Sequence, residues 1–381
     1  MQRNFLCIIC SNLRDKKGTR EKFFSMRKCF LVLVFALCAS AASAQMTKEN
    51  SYGIKNLRFE YRGDFDCFND DNETYSGFTG KYLNFILEGD ITDNLYYAYR
   101  QRINKIQKEY NFFDATDYLY FGWRITKNIS WTVGKEIIAM GGIEYDLAPI
   151  DVYFHSQFWD NINCYRFGTN IEYTTNDRKN TFTFQFSNSP CDNNVIYGSL
   201  YNYSLHWRAN YKHFGPVWSV NMFEYKKGCF LNVIALGTSF NFGPVAGYFD
   251  FTNRANGEQE QFFFKDMTII GRIGYNFMHN KFQVFLKTGY DVNDAQLANL
   301  NINNVFDRCV LPGTDVRFYG GGFEFYPWQG KNDIRIHGFF AVSDVRGTVE
   351  VVDETLQPAI KDEISYQVNI GVTWRLKFID K

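Results

Sequence analysis

Hydrophobic and polar residues alternate along most of this chain, and the alternation is cleanest near the C-terminus. From Ile364 to Phe378 (ISYQVNIGVTWRLKF), Ile364, Tyr366, Val368, Ile370, Val372, Trp374, Leu376 and Phe378 fall on one face of an extended strand. Gln367, Asn369, Gly371, Thr373, Arg375 and Lys377 fall on the other. A period of two means that one face meets apolar material and the other meets water. Soluble strands usually run about five or six residues, so an alternation this long asks for another setting. A tilted strand crossing a bilayer needs about 9–11 residues, and outer-membrane barrels carry apolar-out, polar-in alternation with aromatic girdles at the rims. The pattern predicts an all-β fold, a transmembrane antiparallel β-barrel.

Alternation and turn residues together mark about 16 strands, near 54–62, 80–90, 93–104, 117–126, 128–138, 163–174, 180–188 and 201–211 in the first half. The second half has 216–225, 230–242, 244–253, 263–277, 281–291, 314–326, 332–342 and 363–378. Within 230–253, Phe242-Gly243-Pro244 reads either as a turn or as a bend in one strand. If strand one runs outward, the external loops are 63–79, 105–116, 139–162, 189–200, 226–229, 254–262, 292–313 and 343–362. The periplasmic turns are then short, and long-short alternation is the signature of a barrel with both ends in the periplasm. Sixteen strands enclose an aqueous channel instead of a side-chain-filled core.

The leader fits an exported protein. Arg27 and Lys28 supply a charged start, Phe30 to Cys38 an apolar run, and Ala42-Ser43-Ala44 a cleavage site, so 26–44 reads as a secretory signal peptide and 45–381 as the barrel. Residues 1–25 have no place in this scheme and read as a mis-called N-terminal extension. Leu37 stands where lipid attachment at Cys38 would need a small residue. The few residues between Gln45 and strand one leave no room for a plug domain. The mature chain carries 33 basic residues (41 − 8) against 39 acidic (41 − 2), which argues against nucleic acid as a partner. Aromatic residues make up 19% of the chain while mean hydropathy is only −0.32, a combination that follows when only every second residue touches lipid. Cys67, Cys164, Cys191, Cys229 and Cys309 are odd in number and lack CxxC spacing, so no metal or cofactor is expected and no disulfide pair is singled out.

The third external loop, 139–162 (AMGGIEYDLAPIDVYFHSQFWDNI), is rich in side chains that water does not favour. Folding inward onto the barrel wall would explain them, and shielding the mouth or packing at a subunit interface is the alternative. Around this loop the chain resembles the phosphate-selective porin O and P family of Gram-negative outer membranes. The resemblance rests on Val133-Gly134-Lys135-Glu136, on Gly141-Gly142-Ile143-Glu144-Tyr145-Asp146 and on Pro149-Ile150-Asp151-Val152-Tyr153. Phe184-Gln185-Phe186-Ser187-Asn188-Ser189-Pro190 and Tyr326-Pro327-Trp328 add weaker support. It implies a homotrimeric porin in outer-membrane lipid, with an inward loop narrowing a channel lined by basic residues and passing small hydrophilic or anionic solutes. Glu144, Tyr145, Asp146, Asp151, Tyr153, His155 and Trp159 are then the constriction residues.

Strand parity assigns the pore-lining cations as Arg58, Arg62, Arg100, Arg102, Arg124, Arg166, Arg208, Arg272, Lys287, Arg317, Arg335, Arg375 and Lys377. Placing an arginine at the lipid midplane would cost about 2–4 kcal/mol, so this sorting is partly obligatory. Glu60, Glu88, Glu136, Glu172, Asp250 and Asp291 share the parity, and pairing with them could simply brace the wall. Basic residues lead thirteen to six, which favours anions. Lys135 occupies the family's Gly-Lys motif, but its parity with Trp131 and Val133 points it outward. The loop itself carries only acidic charges, Glu144, Asp146, Asp151 and Asp160, which argues against strict phosphate selectivity. A barrel lipid hydrolase would need a Ser–His pair at the lipid boundary. Parity puts His206 and His337 in the lumen, His213 and His279 in turns and His155 in the loop, so no enzyme is expected. A non-selective or purely structural barrel is the other reading.

Overall fold

The computed structural model describes residues 52–70, 74–105, 112–192, 199–257, 259, 261–294, 309–310, 313–328, 334–346, 350–352, 355–357 and 362–380. The expected leader, 26–44, and the expected extension, 1–25, lie outside these residues, as do most of the expected loop 292–313 and part of 343–362. Sixteen strands close into one antiparallel barrel. The first half comprises β1 (Gly53–Asn69), β2 (Thr74–Asp90), β3 (Leu95–Arg102), β4 (Thr116–Arg124), β5 (Ile129–Ile137), β6 (Tyr165–Thr174), β7 (Asn180–Asn188) and β8 (Tyr201–Ala209). The second comprises β9 (Phe214–Lys226), β10 (Cys229–Phe242), β11 (Val245–Asn256), β12 (Asp266–Phe277), β13 (Phe282–Asn293), β14 (Asp315–Phe325), β15 (Ile334–Arg346) and β18 (Asp362–Asp380). A hairpin of β16 (Glu350–Val352) and β17 (Thr355–Gln357) falls between β15 and β18 in sequence. Strands consecutive around the wall are consecutive in the chain, and β18 closes the barrel on β1 in a register from Asn56↔Asp380 to Asn69↔Tyr366.

The C-terminal alternation sorts the two faces as expected. Trp374 is 43% exposed and Val368 50%, whereas Asn369 is 3% exposed and Thr373 1%. Leu119, Phe121, Trp131, Phe184, Leu205, Phe249, Leu286 and Phe340 continue the same outward apolar surface around the wall. With no water in the hydrocarbon, a closed barrel satisfies every strand's backbone groups through its neighbours. Gly243-Pro244 is a tight turn between two full strands, with Phe242 opposite Val245 and Gly243 at φ +68°.

Two expected loops differ most from the structure. The expected first external loop, 63–79, is largely strand, because β1 and β2 run past the points where polarity suggests they end. The carboxylates of Asp64 and Asp66 mimic a loop in sequence, yet both are buried among partners on the wall. Asp64 pairs with Arg62 at 2.8 Å, Asp66 with Lys81 at 2.9 Å, and Asn369 donates to both. β11 likewise continues through Asn256, drawing Arg254 out of the expected loop 254–262 and into the wall.

Candidate functional site

The segment between β5 and β6 begins with Gly141 and Gly142, the latter at φ +108°, where a side chain would be strained. Three short turns follow: α1 (Ile143–Asp146), a 3₁₀ turn (Pro149–Asp151) and α2 (Gln157–Asn161). Ser156 caps α2 by accepting the Trp159 amide at 3.1 Å. Elements this short do not hold themselves, and the wall does it for them.

The first anchor is neutral. Ala139 donates to Gln185 at 2.8 Å, Gly141 to Ser219 at 2.7 Å, and Asn221 donates to the Ala139 carbonyl at 2.9 Å. Below them Ile138, Met140, Tyr145, Phe158 and Ile162 pack on Phe223, Leu231, Val233 and Ala235. The second anchor is charged. Asp250 accepts the amides of Ile143 and Glu144, and Asp291 accepts that of Gln157. Lys287 bonds the Glu144 carboxylate and the Phe154 carbonyl. Arg62 donates to the Val152 carbonyl at 2.8 Å. Asp151 receives Arg335 at 2.9 Å and Arg375 at 2.7 Å. Burial works against the Asp151 charge, but these two guanidinium groups outweigh it and hold the carboxyl below its usual range. Tyr153 donates to Glu324 at 2.8 Å, stacks on His337, and lies under Arg62 and Arg335. Phe154 fills an apolar cluster with Phe285, Phe318 and Phe339.

Two cavities adjoin this segment. The larger, about 820 Å³, lies among β2 to β6 and includes Lys81, Arg102, Asp117, Lys135, Arg166 and Trp159. The smaller, about 300 Å³, lies among β11 to β15 and β18 and includes Asp151, Arg272, Lys287, Glu324, Arg335 and Arg375.

Most of the cations assigned from sequence meet a carboxylate. Arg58 pairs with Glu60, Arg100 and Arg102 with Asp117, Arg124 with Asp90, and Arg208 with Asp146 in a two-pronged contact of 2.5 and 2.7 Å. Arg272 bonds Gln283 at 3.1 Å and stands 3.9 Å from Glu324. Arg166 instead donates to the carbonyls of Pro190 and Asp192. Lys377 pairs with Asp380. His155 meets Asp160 and stacks on Trp159, while Glu136 takes Asn170 and Thr132.

Arg317 faces outward, against its assignment by strand parity. It is exposed, sits opposite Tyr290 on the outer face and pairs with Asp315, whereas its neighbours Val316 and Phe318 are buried. Phe318 packs on Phe154, so the inner position here is apolar and the usual reading of polarity inverts. Lys135 departs from parity the other way: it is 2% exposed and bonds the Phe113 carbonyl. Gly134, at φ +139°, breaks the alternation so that Lys135 and Glu136 are buried in succession. Arg254 was hidden by the misplaced end of β11; it is fully buried, pairs with Asp266 at 2.7 Å and lies over Phe158. Asp64, Asp66, Asp117, Asp266 and Glu324 join the wall's carboxylates, shrinking the cationic surplus read from sequence.

The sequence profile of the phosphate-selective porin O and P family matches residues 56–261, more than half of the chain. No curated protein matches. Among solved structures, the outer-membrane channel DcaP of Acinetobacter baumannii is 11% identical with a TM-score of 0.55, covering 87% of this chain and 99% of its own. OmpT of Vibrio cholerae, 10% identical with a TM-score of 0.52, covers 86% of this chain and 99% of its own. OprB of Pseudomonas putida, 6% identical with a TM-score of 0.55, covers 84% and 94%. At these identities the likeness speaks for the barrel, and the profile speaks for the family. The chain belongs to the phosphate-selective porin O and P family, as a sixteen-stranded outer-membrane β-barrel of a Gram-negative bacterium.

Proposed function

We propose that this protein is a passive-diffusion porin for small hydrophilic solutes, narrowed by residues 139–162 folded into the lumen, with a weak preference for anions. One observation carries the reading: this segment bonds to side chains from β1, β7, β9, β11, β13, β14, β15 and β18. A loop packed outside the mouth could not reach so many strands at once. Glu144, Tyr145, Asp146, Asp151, Tyr153, His155 and Trp159 are the constriction residues in this reading.

The anion preference is weak because the cations are engaged. Arg335 and Arg375 share Asp151, and Lys287 is held by Glu144, so they act first as struts. An excess of cations over carboxylates remains around the smaller cavity, with Arg272 the most loosely paired. A trimer is part of the proposal. Its support is the family, together with the trimer form described for V. cholerae OmpT, which has the same type of fold.

Liposome swelling with sugars of graded size tests the constriction, comparing the wild type with a variant whose residues 143–153 are replaced by an equal-length Gly/Ser linker. The wild type should admit monosaccharides and exclude larger oligosaccharides that the linker variant admits. Identical size limits would remove the constriction, and no swelling by folded wild type would remove the porin reading.

A further inference from the structure

The two cavities lie on different sides of the barrel and at different heights. The larger is bounded by the external ends of β3 to β6, including Arg102, Asp117, Lys135 and Arg166. The smaller is bounded by residues toward the periplasmic ends of β13, β14, β15 and β18, including Gln283, Glu324, Arg335 and Arg375. Between them, β7, β9 and β10 carry the neutral and apolar anchor of the segment. The partition itself is the chain from Tyr145 to Tyr153. Tyr145 and Pro149 face the larger cavity, Asp151 and Tyr153 face the smaller, and Leu147 lines both.

We propose that solutes cross the barrel obliquely, from the larger cavity to the smaller, and that Leu147 is the apolar lip at the crossing that determines selectivity. This rests on the porin reading above. Leu147 stands just past the C-terminal end of α1, its amide bonded to the Ile143 carbonyl at 3.1 Å. Asp146 beside it is locked to Arg208, and Asp151 beyond it to Arg335 and Arg375, so the backbone carrying the lip is fixed on both sides. The Leu147 side chain is half-buried, one side packed against the apolar cluster around Phe154 and the rest left to the two cavities.

An isobutyl group at a neck offers a passing ion nothing in exchange for lost water, so the barrier rises with the strength of hydration. Weakly hydrated iodide or thiocyanate should therefore cross more readily than fluoride or dihydrogen phosphate of the same charge. The charges on either side can concentrate anions, but the lip ranks them by how easily they shed water.

The test is single-channel recording on full-length protein, with folding checked by heat-modifiable migration. Leu147→Trp should lower conductance by about threefold or more and Leu147→Ala should raise it, since a hydrophobic constriction controls flow through its width and wetting. Leu147→Ser should raise fluoride permeability relative to iodide without altering the anion-over-cation ratio. Thr183→Ala, on β7 outside both cavities, serves as the unchanged control. If the linker variant conducts more than wild type while all three Leu147 variants match wild type, the lip assignment falls and the constriction stands. If the linker variant also conducts as wild type, both fall.

Discussion

Removing the Asp151 carboxylate tests the clamp that holds the segment and, on the proposed function, the field that solutes would meet. Asp151→Asn keeps size and shape but withdraws the charge shared by Arg335 at 2.9 Å and Arg375 at 2.7 Å. Breaking a buried ion pair by deleting one partner costs about 3–5 kcal/mol. Here the loss is smaller, because Arg375 keeps Glu60 at 3.4 Å, Arg335 keeps Glu324 at 3.8 Å, and the side chain of Arg375 is 19% exposed. About 2 kcal/mol is expected, near the cost of leaving buried donors poorly paired. The electrostatic effect adds one positive charge to the smaller cavity. A charge 8 Å away at an effective dielectric of 20 is worth about 2 kcal/mol, and screening at 0.1 M salt brings this to about 1 kcal/mol, or roughly fivefold in anion preference. Reversal potential in a KCl gradient reads this directly, and it should move toward the chloride potential. An unchanged reversal potential, from protein of unchanged melting temperature, would refute both the clamp and its place on the solute path.

Three further outcomes follow from the same contacts. Arg317→Gln should leave reversal potential and conductance unaltered, since Arg317 lies on the outer face beside Tyr290; a selectivity change in the bilayer assay would restore it to the lumen. Gly134→Ala should destabilise the barrel by about 1–3 kcal/mol, because the backbone is at φ +139° and the new Cβ would meet the Leu119 carbonyl; heat-modifiable migration measures it. Because the folded Asp151 carboxyl titrates below its ordinary value, the stability it contributes is full above about pH 4 and is lost only as pH falls through the lower folded value. The difference in thermal stability between the wild type and Asp151→Asn should therefore stay constant from pH 7 to pH 5, and a difference that shrinks within that window would contradict the clamp.

The barrel was legible because lipid imposes one rule on every strand. Ile364 to Phe378, Leu119 to Trp123 and Phe182 to Phe186 all show apolar residues at every second position, and all prove outward-facing. The rule fails where the inner face is also dry. At β14, Val316 and Phe318 face the packed segment, so polarity no longer marks the inside and Arg317 was assigned to the wrong face. Gly134 hides a reversal that sequence spacing cannot show, since only its backbone angle turns Lys135 inward. Asp64, Asp66 and Arg254 were lost for a third reason: charges paired across strands look, in one dimension, like the polar residues of a loop. The apolar content of 139–162 was the one signal that a connection required the wall as a partner. Its specific anchors, such as Asp250 to the Ile143 amide, are long-range pairings with no trace in local sequence.

Single-channel conductance of the purified protein in planar bilayers, with a KCl gradient and added phosphate, decides whether this barrel is an anion-preferring channel. Stepwise openings should reverse part of the way toward the chloride potential, with phosphate acting as a weak competitor and not a tight blocker. Silent bilayers from folded protein would contradict the channel, and openings that reverse toward the potassium potential would contradict the anion preference.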